Sequence, residues 1–312
     1  MKLFDLHCDT AYRCYMEKTP MLQNEFHISL ERGGVFSPWV QCFAIWIPDE
    51  FRGKSAVELF RKVAENFQQE MIKNADRIEQ CRDFSLLPQQ LCTGKSVAIL
   101  TVEGGGALGG DVENLLLFEK YGAKMMTLTW NGRCELGSGV LDEEDIGLSD
   151  FGKTVVSRME TVGMIPDLSH ASPRLFWDVC AHTDRPVVVS HSNLQAVCGH
   201  PRNLSDEQFG EMVRRKGLVG LNFCTYFLHD QQPDDVQHLF SHIDRMLALG
   251  GEDTIALGGD FDGTDVPAYL EGIQSMGGLR EEMLRHNYKE CIVDAIFFDN
   301  AYNFFDRFDK QP

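Results

Sequence analysis

Eight times along the chain, a short and nearly unbroken apolar run stops at a polar residue or glycine, and a helix or helical turn follows. The runs are KLFDLH (2–7), WVQCFAIWI (39–47), SVAILTVE (96–103), KMMTLTW (124–130), MIPDLSH (164–170), PVVVSH (186–191), LVGLNF (218–223) and TIALGGD (254–260). Runs of this kind suit strands covered on both faces, as in a parallel sheet flanked by helices. The segments between them read as helices. In 55–81, Val57, Phe60, Val63, Phe67 and Met71 recur at spacings of three and four. Ser172 with Pro173 makes a helix start, and Ser205 with Gln208 makes a capping box. Gly122 and Gly163 follow helical stretches as C-caps. Eight strand–helix units predict an α/β fold, a (β/α)8 TIM-type barrel in a single domain over 1–312. Helices after residue 275 are expected to complete its outer ring. The alternative is a doubly wound open sheet; no GxGxxG follows the first run, which disfavours it.

The formal charge of −18 and pI of about 4.9 argue against nucleic acid and anionic membranes as partners. Ten cysteines lie scattered through the chain without a CxxC pair. That pattern fits reduced, buried thiols better than a disulfide scaffold, which would be short and dense. The sequence has no apolar run of about 18 residues, no signal-peptide pattern and no lipid-anchor motif. These readings predict a cytoplasmic protein.

In a barrel of this kind chemistry sits at the C-terminal ends of the strands. The first run leads into His7 and Asp9, the third ends in Glu103, the fifth in His170, the sixth in His191 and the eighth in Asp260. Side chains repeat every two residues along a strand, so His7 and Asp9 share a face and Cys8 points away. Taken singly, each residue has an ordinary reading: a hydrogen-bonded core histidine, a helix cap at Glu103, a turn aspartate in GGDFDG. Gathered at one barrel mouth, they would be costly to desolvate without a cation. The mixed nitrogen and oxygen set suits zinc, with manganese or cobalt as alternatives. Six groups exceed the needs of one tetrahedral ion. Two ions about 3.5–4 Å apart, sharing Glu103, would use them. Asp5 and Asp167 lie near the ligands in sequence and are candidates to hold their outer nitrogens.

DLHCDT, TVEGG, DLSH, SHSN, HPRN and GGDFDG, in this order and at these intervals, resemble the membrane dipeptidase (renal dipeptidase) family of zinc peptidases, which are amidohydrolase-like barrels. The resemblance runs from residue 3 to about 265. It implies two zinc ions, with His7 and Asp9 on one, His170 and His191 on the other, and Glu103 bridging them. It implies that Arg202 of HPRN clamps the carboxylate of a dipeptide and that Asp260 is the acid/base at the scissile bond. The reaction it implies is hydrolysis of free dipeptides by a metal-bridging hydroxide, often by a homodimer. One segment departs from the family. Where renal-type members carry a histidine, LTWNGRCELGSG places Trp130, so Trp130 and Asn131 become candidate substrate contacts. Cys224 also stands where renal-type members favour tyrosine. The lipid anchor of renal members is not carried over. Two other readings of the ligand set stand beside this one. One is a barrel hydrolase acting on another amide, lactone or ester. The other is a metal-binding homologue without turnover.

Overall fold

The computed structural model describes residues 1–229 and 235–308. Residues 309–312, part of the C-terminal segment read above for an anchor motif, lie outside them. Nine strands form: β1 Leu3–Cys8, β2 Trp39–Trp46, β3 Ile78–Gln80, β4 Ser96–Glu103, β5 Ala123–Thr127, β6 Ile165–Asp167, β7 Val188–Val189, β8 Leu218–Leu221 and β9 Ile255–Leu257. Their order is β2-β1-β9-β8-β7-β6-β5-β4-β3, and β2 pairs back onto β4. That pairing runs in parallel from Val40↔Val97 to Trp46↔Glu103 and closes an eight-stranded barrel. The expected (β/α)8 barrel is therefore present.

The extra strand β3 falls inside the stretch read as one helix over 55–81. The helix ends at Lys73, where the Asn74 side chain donates to the Glu70 carbonyl and caps the last turn. Ile78–Gln80 then pairs with Ser96–Ala98 of β4. This part of β4 lies below the reach of β5, which pairs with Leu100–Glu103.

The apolar residues sort into two layers. One cluster takes Phe4, Val40, Val97, Met125, Ile165, Val188, Leu218 and Ala256, one from each barrel strand, and fills the barrel interior. The other joins the opposite strand faces to the surrounding helices, such as Lys54–Lys73 with Phe60, Val63 and Phe67 and Asp150–Thr161 with Val155 and Met159. Burying each large side chain of this kind stabilises the fold by about 1.5–3 kcal/mol. The last helix, Asn300–Phe308, does not complete the outer ring. Its Phe304, Phe305 and Phe308 join the interior cluster, and Phe305 stacks on Phe4 with ring centroids 5.2 Å apart. Phe4 lies near the start of β1, so this helix plugs the barrel floor and leaves the opposite mouth open. Among the described residues no helix is long and apolar enough to cross a membrane.

β1 carries the irregularity that arms the mouth. Its register against β2 slips between Asp5↔Gln41 and Cys8↔Phe43, three steps against two. Strict alternation would put His7 on the face opposite Phe4 and Leu6. The slip is a β-bulge. It lets Phe4 and Leu6 fill the interior while His7 still turns into the mouth above them.

Candidate metal centre

The strands stop earlier than their apolar runs suggested. His170 stands three residues beyond β6, His191 two beyond β7 and Asp260 three beyond β9. These three thus sit on the turns leaving the strands, while His7 and Glu103 remain within β1 and β4. His170 and Asp260 hold left-handed backbone angles, φ 64° and φ 56°. Non-glycine residues in that region cost of order 1–3 kcal/mol and persist where surrounding contacts fix them. Glycines clear the space. A Cβ on Gly258 would meet the Ser190 carbonyl oxygen at 1.8 Å, and one on Gly220 at 1.9 Å. Only glycine at both places lets the Ser190 carbonyl, next to His191, lie against β8 and the turn after β9.

The six predicted side chains converge. Glu103 Oε2 lies 3.5 Å from His7 Nε2, while Oε1 lies 2.9 Å from His170 Nε2 and 3.5 Å from His191 Nε2. Asp9 Oδ2 is 3.3 Å and Asp260 Oδ1 3.8 Å from His7 Nε2. All six residues are at most 9% exposed. Two ligand groups share Glu103: His7 with Asp9, and His170 with His191. His7, His191 and Asp260 also lie close enough together to ligate. Cys8 belongs to none of these groups.

A count of protons tests whether the residues fit a cation. Ser190 Oγ donates to Asp167 Oδ2 at 2.5 Å and so accepts from His191 Nδ1 at 2.7 Å. Asn131 Oδ1 accepts from His170 Nδ1 at 2.8 Å. Both imidazoles thereby carry their proton on Nδ1 and a lone pair on Nε2. The two Nε2 atoms face each other at 2.9 Å, beside the Glu103 carboxylate. Asp9 Oδ1 is buried with no partner among the described residues. Converging lone pairs and an orphaned carboxylate oxygen are what a bound divalent ion would satisfy, so the donor set fits.

The electrostatics agree. Burial pushes Asp260 up to about 7; His7 opposes this, and the charges of Asp9 and Glu103 add to it. Burial and the neighbouring Glu103 charge push Asp9 up to about 6. Burial and then the Arg202 charge take His170 down to about 4. Burial, then the charge on His7, takes His191 well below its ordinary value. Burial would lift Glu103 as well, but His7, His170 and His191 hold it well below the usual carboxylate range. Burial would lower His7, but Glu103 and Asp9 hold it well above.

The model of the membrane dipeptidase family (peptidase family M19) matches residues 1–310. The chain belongs to that family. A solved structure similar to this M19 chain is that of a metallopeptidase from Rhodobacter sphaeroides, liganded with a phosphinate mimic of the dipeptide L-Ala-D-Ala. It has a TM-score of 0.92 at 25% identity and covers 99% of both chains. The dipeptidase AC, a metallopeptidase of family M19, also has a TM-score of 0.92, at 26% identity over 99% of this chain and 98% of its own. A Klebsiella pneumoniae protein described as an uncharacterized protein in the pqqA 5' region is 30% identical over 237 residues, 73% of this chain and 84% of that protein. Family M19 is one of metal-dependent dipeptidases, and the clustered donors lie at the barrel mouth where its chemistry is expected.

In this M19 chain a cavity of about 410 Å³ opens over the cluster, lined by Asp9, Glu103, His170 and Asp260 and by Trp130 and Asn131. Asn131, read as a substrate contact, also fixes the ring of His170. Arg202 lies 4% exposed behind His191 and is not among the residues lining this cavity. It donates to Ser192 Oγ at 3.0 Å and to the His191 carbonyl at 3.2 Å, while its Nε is buried without a partner among the described residues. Of the two candidate supports, Asp167 reaches His191 through Ser190. Asp5 instead accepts from Gln41 Nε2 and the Gly259 amide, both at 2.8 Å, and braces the turn before Asp260. Two contributors carry no site role in the sequence pattern alone. Ser190, beside a ligand in SHSN, is one. The other is Asp262, whose buried carboxylate accepts from Thr10 Oγ1, Arg13 Nη1 and the His27 amide and ties the Asp260 turn to the chain just past Asp9. The second aspartate of GGDFDG was the signal for it.

Proposed function

We propose that this chain is a zinc-dependent dipeptidase that binds two ions, with His7, Asp9 and Glu103 on one and Glu103, His170 and His191 on the other. The observation that carries this reading is Glu103, whose two oxygens reach opposite groups of ligands. When bound, the ions would polarise the scissile carbonyl and supply a bridging hydroxide at neutral pH. The remaining steps belong to the protein. Asp260, buried beside the ligands with Oδ1 3.8 Å from His7 Nε2, is placed to hold and release a proton. Asn222 Nδ2 donates to its Oδ2 at 3.1 Å, leaving Oδ1 on the His7 side to hand that proton to the leaving amine. Arg202 takes the substrate carboxylate, its unpartnered Nε offering a donor once the side chain turns toward the cavity. Trp130 and Asn131 contact the substrate from the cavity wall. The dipeptide mimic held by the Rhodobacter relative supports a dipeptide substrate and suggests that a D-residue is tolerated at the C-terminal position. A cytoplasmic setting belongs to the same proposal, supported by ten cysteines that form no disulfide, seven of them buried.

The test pairs metal content with hydrolysis of L-Ala-L-Ala and L-Ala-D-Ala. The wild type should hold two ions per chain and cleave. Glu103→Ala should hold fewer than two and show no cleavage above background. A variant that kept two ions and full turnover would overturn the shared-carboxylate assignment.

A further inference from the structure

Trp130, placed above on the cavity wall, is one of three aromatic residues on a single face of the cavity. Tyr12, Trp46 and Trp130 form a continuous aromatic wall, each half-buried. Tyr12 meets Trp46 with ring centroids 5.1 Å apart, Trp46 meets Trp130 at 5.0 Å, and Trp130 reaches the His170 ring at 6.1 Å. The wall therefore begins beside a metal-ligating imidazole and leads away from it. Phe227 adds a further aromatic ring to the cavity lining.

The charges in the cavity narrow what can lie against this wall. Arg13 is the one lysine or arginine among the described lining residues. It donates to Glu17 at 2.8 Å and to Asp262 at 3.4 Å and lies over the Phe26 ring at 4.2 Å. Arg202 is assigned to the main-chain carboxylate, so among the described lining residues no further lysine or arginine is left for an acidic side chain. A carboxylate pressed against the indoles would lose its hydration without a partner. An apolar or aromatic side chain would gain contact area and ring packing. The volume of about 410 Å³ is near the small end of ligand pockets, which suits two residues more than a longer peptide.

We infer that Tyr12, Trp46 and Trp130 form the side-chain subsite of this enzyme and select dipeptides bearing an apolar or aromatic side chain over those bearing an acidic one. The inference rests on the dipeptidase reading. The expected preference, as a ratio of kcat/KM, is roughly 10- to 100-fold, the range that apolar pockets usually reach.

The experiment compares Ala-Ala, Leu-Ala, Phe-Ala, Glu-Ala, Ala-Leu, Ala-Phe and Ala-Glu on the zinc-loaded protein. Two readouts are taken, kcat/KM and quenching of indole fluorescence on binding. At one of the two positions, leucine or phenylalanine should outrank glutamate. The ratio should collapse toward one in Trp130→Ala and in Trp46→Ala, and should partly persist in Trp46→Phe. A wild type that cleaves all seven equally overturns the subsite and leaves the dipeptidase reading standing. Binding that favours Leu and Phe without any turnover keeps the subsite and removes the dipeptidase reading. Variants that slow every substrate alike, with the ratio intact, also overturn the subsite.

Discussion

Replacing Ser190 by alanine removes a single hydroxyl, yet that hydroxyl fixes which nitrogen of His191 carries the proton. Without it the ring loses its orientation and its link to Asp167. Zinc affinity should fall about 10- to 100-fold, the usual effect of losing such a support. Competition against a chromogenic chelator would measure it, and an unchanged affinity would count against the proton assignment. The ligands also set a pH limit. Asp9 is raised to about 6 and His7 well above its ordinary value, so both take up protons as pH falls and compete with the metal. Metal retention should drop between pH 7 and 5, measured as bound zinc after gel filtration at each pH. At this scale the sequence was most legible. All six mouth residues could be picked out because histidine and carboxylate at the end of an apolar run are costly there without a cation. The Asn131–His170 contact was not legible, because it depends on a turn folding back over a separation of 39 residues.

The turns and the floor of the barrel carry the next set of constraints. Gly258→Ala would drive a methyl group into the Ser190 carbonyl and displace the chain that holds His191. It should lose metal binding, read by zinc stoichiometry, even in the fraction that folds. Phe305→Ala should leave the mouth intact but open the floor, where Phe305 is fully buried against Phe4 and Phe84. A Phe-to-Ala cavity costs about 3–5 kcal/mol. The urea midpoint should fall accordingly, with the zinc stoichiometry of the folded protein unchanged. The order of the elements followed from the alternation of apolar runs and helical patterns. Their ends did not. Apolar stretches such as MIPDLSH and PVVVSH continue past the last strand pairing, because turn residues packed inside a barrel mouth are as buried as strand residues. The bulge in β1 was hidden for a related reason. It leaves no glycine or proline behind, only a change in which side chains face inward. The C-terminal helix was read as part of the outer ring because its phenylalanines mark a buried face without saying what buries it.

Across the whole molecule, the plugged floor gives the barrel one open end, and the donor cluster lies there. A negative chain of formal charge −18 suits a small zwitterionic substrate better than a polyanion. Metal ions that bind the folded state alone should also hold it together. Chelation should lower the unfolding temperature, since a ligand at a thousandfold excess over its Kd stabilises by about 4 kcal/mol. A calorimetric scan with and without chelator would show the shift. The most direct test of the dipeptidase account is hydrolysis by the zinc-loaded protein of free L-Leu-L-Ala beside its N-acetylated and C-amidated forms. Cleavage of the free dipeptide alone, stopped by chelator and restored by zinc, is the predicted result. No cleavage of any of the three by protein that holds two zinc ions, or equal cleavage of the blocked forms, would contradict it.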